Sequence, residues 1–397
     1  MAIAVKDNTS FAVEIESTEG VYVAPTSAAS YVQTLKDGTE MTRNQELLER
    51  EIFTGTIGKT QSRLGTRSVA GSMPVEMRAN SVEGDAPEFD ALITSAMGGK
   101  KTRAVVTTKT GNSSTVLEIE DADISGFSRY DIVLVKEAGS FEMSWVSAVD
   151  TTASAANITL GQALTFTPSD NVDISAVTQY STANSGHPSL SISKYIESAK
   201  LEQAVGCKVT SMSLENLTTG QISSVNFGFE GLTFDSSLTA SPFTPVYDSS
   251  LPPISLRACL SQNGVNVDVN SFAVSMENTL GFVTSICSEN GRISSRVTSR
   301  AISGSFNPYK SDNSLTQFDN FKCNDPYTMF IYAFNPSLDA NCDFTGEFEQ
   351  AFAVLLTNCI TTELGESDQD GLLVEDITFQ ATRGPSGSDE EMKIAFM

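Results

Sequence analysis

An acidic run near the C-terminal end of the chain has the spacing of a calcium-binding loop. Glu366, Asp368 and Asp370 match positions one, three and five of such a loop, and Gly371 matches position six. Carboxylate oxygens ligate the ion at these positions, and position twelve supplies a bidentate glutamate. This chain has Ile377 at position twelve. The run is therefore a candidate calcium site that lacks one ligand, and the alternative is a solvated turn before a strand.

The other residue types that carry out chemistry are scarce. His187 is the one histidine of the chain, which argues against a multi-histidine metal site, and its Ser/Gly-rich surroundings predict a linker. Six cysteines have no metal-ligand spacing, so we interpret them as free, buried apolar residues. Lys59 follows a glycine as in a phosphate-binding loop, but Phe53 replaces the first glycine of that motif. We therefore predict no catalytic residue, no cofactor and no enzyme activity.

Composition and charge narrow the class of protein further. The chain has 397 residues, enough for two or three domains. Its 25 Lys and Arg against 49 Asp and Glu give a formal net charge of −24, which argues against a stable nucleic-acid binder because such proteins need a basic surface. No stretch approaches the roughly 18 consecutive apolar residues of a membrane span, and the N-terminal residues lack the pattern of a secretory signal. We expect no membrane association.

Short β-strands dominate the pattern of apolar residues. Alternation of apolar and polar residues over 69–77, 211–214 and 225–229 predicts half-buried strands. One amphipathic helix is predicted from apolar residues at helical spacing, with Asp85 and Glu88 as a capping box and Gly98 as its end; these residues are Phe89, Leu92, Ile93, Ala96 and Met97. A second helix is predicted around Leu315, Phe318, Asp319 and Phe321.

Two similar sets of elements indicate an internal duplication. Gly71 and Gly304 each lie in an alternating strand before a helix, and Phe227 and Phe379 lie in later strands that match. The alternative is chance similarity between amphipathic strands. A compact β-rich segment interrupts the first set, and a Pro-rich connector precedes the second. The sequence therefore predicts a mainly β chain with two tandem β-sandwich or barrel domains, each with a flanking helix: 1–100 with 188–245, a small inserted β domain at 101–187, and 246–397.

A long polar stretch, residues 37–67, carries charges of both signs together with isolated apolar residues. Compact domains rarely contain so long a loop without a role. One interpretation is an arm that docks on a neighbouring subunit, and the other is a solvated extended loop. The candidate docking residues are Leu47, Leu48, Ile52 and Phe53.

Several segments, in order, resemble the major tail-tube proteins of long-tailed, non-contractile bacteriophages. The segments are residues 19–25 (EGVYVAP), 64–72 (LGTRSVAGS), 86–98 (APEFDALITSAMG), 206–214 (GCKVTSMSL) and 225–232 (VNFGFEGL). The resemblance covers most of residues 1–100 and 188–397 and leaves out the insert. It implies packed, roughly orthogonal β-sheets flanked by a helix, subunits that form rings through inter-subunit sheets, and rings stacked into a hollow tube.

The resemblance also implies partners and a location. It implies a structural protein of the virion tail, assembled in the host cytoplasm around a tape-measure protein and joined by tail terminator and tail-tip proteins. Most members form six-fold rings from one domain per subunit. Two domains per chain imply three chains per ring with pseudo-six-fold symmetry, and a hexamer is the alternative. A β-sandwich surface adhesin or a carbohydrate-binding protein is the alternative to the whole interpretation.

Viral DNA is expected to pass through the lumen without being held. An acidic wall repels phosphate, so the strong charge suits such a channel. Residues 251–397 alone carry a net charge of −11, and the candidate lumen residues lie there: Glu363, Glu366, Asp368, Asp370, Glu375 and Asp376. The insert is expected on the outer surface, because a domain of its size would block the channel.

Overall fold

The computed structural model of the chain describes residues 7–137, 140–151, 156–197, 200–254, 258–311, 314–338, 344–384 and 390–397. Within these residues the chain forms 24 strands and two α-helices. The predicted mainly β fold is therefore confirmed. Both predicted helices are present: α1 spans Asp90–Met97 and α2 spans Ser314–Cys323.

The strands follow one another along the chain in five runs. Before α1 lie β1 (Thr9–Ile15), β2 (Tyr31–Val32), β3 (Glu40–Leu48) and β4 (Arg63–Glu76). After α1 lie β5 (Gly98–Arg103), β6 (Val106–Thr107), β7 (Val116–Glu118), β8 (Ile132–Glu137), β9 (Ser140–Asp150), β10 (Asn157–Leu160), β11 (Asp173–Ile174) and β12 (Val177–Thr182). Next come β13 (Leu190–Ile196), β14 (Lys200–Thr218), β15 (Ser224–Gly231) and β16 (Thr233–Ser237). The second half begins with β17 (Ala258–Gln262), β18 (Val265–Val267), β19 (Val269–Thr284) and β20 (Arg292–Pro308). After α2 lie β21 (Tyr327–Leu338), β22 (Phe344–Gln369), β23 (Leu372–Ala381) and β24 (Met392–Phe396).

The two halves share one order of elements and one set of strand pairings. In the first half β1 pairs with β13, β3 with β4, β4 with β15, β13 with β14, and β14 with β15. In the second half β17 pairs with β21, β19 with β20, β20 with β23, β21 with β22, and β22 with β23. All ten pairings are antiparallel. Each helix follows the corresponding strand, α1 after β4 and α2 after β20.

The strand register corrects one detail of the predicted duplication. Gly71 lies opposite Phe229, and Gly304 lies opposite Phe379. The counterpart of Phe379 is therefore Phe229, not Phe227 as the sequence comparison predicted. The turn glycines of the two halves do not correspond, because the β14–β15 connection is longer than the two-residue β22–β23 turn.

Eight strands form one continuous antiparallel sheet that runs through both halves. Their order is β3–β4–β15–β14–β19–β20–β23–β22, with β14 and β19 as the junction between halves. Strands β14 and β22 are long, and their N-terminal parts leave this sheet to pair with β13 and β21 in a second layer. Each passes a β-bulge on the way, which is how strands turn corners between sheets.

The main core lies between the eight-stranded sheet and this second layer. Alternation along β4 turns Val69, Met73 and Val75 into the core. The Phe89 ring connects the layers, with its centroid 5.9 Å from that of Phe227 and 5.5 Å from that of Phe396. Burial of each such ring contributes about 1.5–3 kcal/mol to stability.

Helix α1 forms where the periodicity predicted it. Its apolar face is buried, and Gly98 ends it in a left-handed conformation (φ 87°) with its N–H donating to the Thr94 carbonyl. The predicted capping box is wrong, because Phe89 occupies the N-cap. The Glu88 carboxylate instead accepts a 2.8 Å hydrogen bond from the buried Arg78 guanidinium. A buried guanidinium without a carboxylate would be costly, so this pairing prevails over the cap.

Six strands within the predicted insert form a separate sheet in the order β6–β11–β8–β9–β10–β7. Strand β8 is buried on both faces. Its Val133 and Val135 lie in the core of the insert, whereas Ile132 and Leu134 pack with Trp145 against β21, β22 and β24. The Trp145 centroid lies 5.2 Å from that of Phe330, so this tryptophan is part of the core between the insert and the main body. Strands β5 and β12, which lead to and from the insert, belong to the main body.

Candidate functional site

The eight-stranded sheet ends in two strands whose outer edges have no backbone partner in the described part of the chain. At one end, β3 pairs along its length with β4 alone. At the other end, residues 363–369 of β22 pair with β23 alone. Free edges of this length present unpaired N–H and C=O groups that attract another strand. These two edges are candidate assembly surfaces.

One face of the eight-stranded sheet is packed on the core, and no other sheet formed by the described residues covers the opposite face. The small polar side chains of the alternating strands point to this uncovered face, for example Ser72, Ser213, Ser275 and Ser305. Acidic residues on the same face include Glu40, Glu76, Glu215, Glu277, Glu363 and Asp376. Four of them were missed by the sequence reasoning; the available signal was their polar position in an alternating strand.

The structure divides the six predicted lumen carboxylates between different places. Glu363 and Asp376 lie on the uncovered face. Glu366 and Glu375 have the opposite parity, and Glu366 pairs with Lys310 while Glu375 is buried. Asp370 lies in the two-residue β22–β23 turn, and the Asp368 carboxylate just before it accepts a hydrogen bond from the N–H of Gly371 at 3.2 Å.

Two carboxylates of the calcium candidate have partners within the protein at this turn. Glu366 is engaged by Lys310, and Asp368 caps the turn. Among the described residues, no group of three or more His, Cys, Asp or Glu side chains is arranged to hold a metal ion. The acidic spacing is therefore that of a two-residue hairpin turn.

The predicted arm is the end of a hairpin rather than one long loop. Strands β3 and β4 remain paired as far as Leu48 opposite Arg63, and residues 49–62 form the connection between them. The four candidate docking residues Leu47, Leu48, Ile52 and Phe53 are all exposed. The equivalent hairpin β19–β20 exposes Val283, Ile286 and Ile293 near its tip. Apolar residues grouped on an exposed element are typical of protein interfaces.

An ion pair connects the first hairpin to the body of the protein. The Arg43 guanidinium lies 2.5 Å from the carboxylate of Glu202, which Lys200 contacts from the other side at 2.9 Å. Partial burial acts to raise the pKa of Glu202, but hydrogen bonds from Arg43 and Lys200 outweigh it and lower the pKa to about 2. Glu202 therefore carries its charge throughout the neutral range.

His187 and the cysteines are placed differently from their predictions. His187 is not a loose linker residue, because its Nδ1 lies 2.9 Å from the Ser95 carbonyl and its Nε2 lies 3.1 Å from the Ala183 carbonyl. Both ring nitrogens are thus engaged by the backbone. The five cysteines of the described residues are free, but only Cys207 and Cys359 are buried, Cys259 is half-buried, and Cys287 and Cys323 are exposed. Cys342 lies outside the described residues.

These features define a structural protein with surfaces for assembly: a sheet with two free edges, an uncovered acidic face and two hairpins with apolar tips. No described helix is long and apolar enough to cross a membrane. Residues 6–381 match the family model described as phage tail tube protein. The chain belongs to the phage tail tube protein family, and this places it among the structural proteins of the virion tail. No curated protein matches the sequence.

Proposed function

We propose that the chain polymerises into stacked rings that form the hollow tail tube of a long-tailed, non-contractile phage, through which DNA is ejected into the host. The observation that carries this proposal is the continuous eight-stranded sheet with a free edge at each end. Head-to-tail pairing of the two edges extends the sheet around a ring and leaves no edge exposed.

The duplication supports three chains per ring. Each half contributes four strands to the continuous sheet, so two tail-tube-type domains, 1–100 with 188–245 and 246–397, replace two subunits of a six-fold ring. Three chains would close a barrel of about 24 strands, with a backbone diameter of ~37 Å at a spacing of ~4.8 Å between strands. Strand tilt widens such a barrel further, which leaves room for a DNA duplex.

The uncovered acidic face supports a lumen that does not hold DNA. It would carry Glu40, Glu215, Glu277 and Glu363 as exposed carboxylates. The insert at 101–187 is separated from this face by the main core, because it packs on the far side of β21, β22 and β24. This supports its position on the outside of the tube.

Assembly is proposed to take place in the host cytoplasm around a tape-measure protein, with tail terminator and tail-tip proteins at the ends of the tube. DNA is a transient partner only, and no catalytic activity is proposed. A surface adhesin or a carbohydrate-binding protein would leave the two free edges and the duplication without a role.

Negative-stain microscopy of the purified protein tests the proposal. We expect rings or tubes with an open channel. A protein that stays monomeric at every concentration and salt condition would refute it. A second test replaces Glu40, Glu215, Glu277 and Glu363 with lysine; we expect assembled tubes that retain duplex DNA at low salt, whereas wild-type tubes release it. Equal DNA retention by both would refute the acidic lumen.

A further inference from the structure

We infer that the β14–β19 junction inside each chain is a copy of the contact between neighbouring subunits, and that it fixes the register of that contact. In this register residues 363–366 of β22 lie opposite residues 44–41 of β3 in the next subunit. The inference rests on the proposed ring and adds to it the residues that meet and their order.

Strands β3 and β4 are equivalent to strands β19 and β20. Met41 lies opposite Gly71, and Val274 lies opposite Gly304. At each glycine the same two groups close the space where a Cβ would stand: a carbonyl of the preceding strand, from Glu40 or Ala273, and a phenylalanine ring. The β3 edge therefore corresponds residue by residue to the β19 edge, with Met41 in the place of Val274.

Strands β14 and β15 are likewise equivalent to strands β22 and β23. Val209 lies opposite Phe229, and Thr361 lies opposite Phe379. One residue is then skipped in each long strand, so that Ser211 lies opposite Gly228 and Glu363 lies opposite Thr378. The two strands carry the same bulge at the same place, and Glu363 therefore stands in the place of Ser211.

The internal junction then gives the external register directly. Within the chain, Ser211 pairs with Glu277 and Ser213 pairs with Ser275. Substituting the equivalent residues places Glu363 opposite Asn44 and Gly365 opposite Thr42 in the next subunit. A slip by one residue would put the core-facing side chains of one strand on the uncovered face, so a single register is favoured.

Next to the free β22 edge, a single chain leaves apolar residues of helix α2 exposed. Helix α1 is buried, and Asn278 of β19 reaches across the internal junction to donate to the Ala96 carbonyl at 2.9 Å. Among the described residues no strand lies beyond β22 on the corresponding side of helix α2, and its Leu315, Phe318 and Phe321 are exposed. Leu315 and Phe318 line an open cavity of about 530 Å³ that reaches Leu364 and Glu366 at the free edge of β22. The β3 strand of the next subunit would approach this helix as β19 approaches α1 through Asn278.

The residue of β3 that is equivalent to Asn278 gives independent support for a contact at this edge. It is Gln45 of β3, and its Nε2 is buried without a hydrogen-bond partner in the described structure. In the internal junction the Asn278 amide also lies 3.3 Å from the Val209 carbonyl. The Thr361 carbonyl of the neighbouring subunit is the corresponding acceptor. A buried donor without a partner is costly, so its pairing favours the assembled state.

The chemistry of the two junctions differs where they face the core. Met212 opposes Met276 and Leu214 opposes Val274 within the chain. Between subunits the equivalent pairs are Leu364 with Arg43 and Glu366 with Met41. The internal junction is apolar and permanent, whereas the external one contains charged residues that water can solvate in a free subunit.

Disulfide cross-linking tests the register. The Ser213 and Ser275 hydroxyl oxygens are 3.3 Å apart, so their equivalents are placed close enough for a disulfide. The variant T42C/G365C is prepared with the exposed Cys287 and Cys323 changed to serine. Gly365 tolerates a side chain, because an added Cβ meets only Asp376 atoms at 3.6 Å or more. S213C/S275C is the intrachain positive control, and T42C/E366C, with cysteines on opposite faces, is the matched slip control.

The expected result on a non-reducing gel is a shift of T42C/G365C from the monomer band to a covalent trimer, only in samples whose rings or tubes are seen by microscopy. The slip control is expected to remain monomeric. Tubes of normal appearance in which T42C/G365C stays monomeric, while S213C/S275C closes its disulfide, would overturn the register and leave the proposed function standing. Absence of any ring or tube in the wild type would instead overturn the proposed function.

Discussion

The close contacts at Gly71 and Gly304 predict that replacing either glycine with alanine destabilises the fold, and that the two replacements destabilise it equally. At Gly71 an added Cβ would lie 2.7 Å from the Phe229 Cζ and would overlap the Glu40 carbonyl. At Gly304 it would lie 2.5 Å from the Phe379 Cζ and would overlap the Ala273 carbonyl. A ring can tilt away, but each carbonyl belongs to a paired strand: Ala273 lies inside the β19–β20 ladder, and Glu40 is the first paired residue of β3.

The magnitude follows from this geometry. Overpacking of a well-packed site costs about 1–3 kcal/mol, and an obstacle of backbone atoms puts both sites at the upper end of that range. We expect G71A and G304A each to lower the free energy of unfolding by about 3 kcal/mol. The matched control is G58A, because nothing lies within 4 Å of a Cβ added there; its effect is expected to stay within about 0.5 kcal/mol.

The assay is urea unfolding followed by far-ultraviolet circular dichroism, with the midpoint and the slope compared between variants. A lower midpoint at unchanged slope for both glycine variants supports the reasoning. If G71A and G304A unfold at the same urea concentration as G58A, the close approach is not present. If only one of the two variants is destabilised, the glycine–phenylalanine contact is not equivalent in the two halves.

Three further predictions concern the ion pair, the thiols and the insert. The pKa of Glu202 is lowered to about 2 from an ordinary value near 4.5, so the contribution of its charge to stability is complete above pH ~4.5 and disappears as the pH falls through ~2. R43A should therefore be less stable than wild type at pH 7 and equally stable below pH ~2. A stability difference that does not change with pH would contradict this. In native protein treated with iodoacetamide, mass spectrometry should find Cys287 alkylated and Cys207 protected, because burial raises the pKa of the Cys207 thiol; labelling of both at one rate would refute the placement. W145A should lower the free energy of unfolding by about 3–5 kcal/mol and expose the strands beneath the insert to proteolysis. If the insert were only tethered to the main body, W145A would leave the stability of the main body unchanged, and that result would contradict the packing.

Local patterns in the sequence were sufficient where the physical cause is local. The 3.6-residue spacing from Phe89 to Met97 and the glycine that follows it predict a helix and its end, because one buried face and one left-handed residue are all that this requires. The same holds for the strands around Met73 and Phe227, whose alternation follows from one buried face. The type of these elements and their order along the chain could therefore be predicted from the sequence.

The cap of α1 and the insert show where this reasoning stops. Glu88 has the right spacing for a cap, yet it binds Arg78 because that guanidinium is buried beside it in the fold. The run Ile132–Val135 is apolar at every position, which is compatible with many packings. Only the tertiary structure shows that alternate residues face two different cores.

The sequence by itself determined the mainly β fold, the two helices, the similarity of the halves and the resemblance to tail-tube proteins. It also determined that the chain is strongly acidic. Only the tertiary structure decided which carboxylates share a surface: Glu363 and Asp376 face away from the core, whereas Glu366 and Glu375 do not. The reason is that strand register sets the face of every side chain, and register is fixed by partners far away along the chain. The junction of β14 with β19, and the free edges that it leaves at β3 and β22, arise from the same long-range pairing.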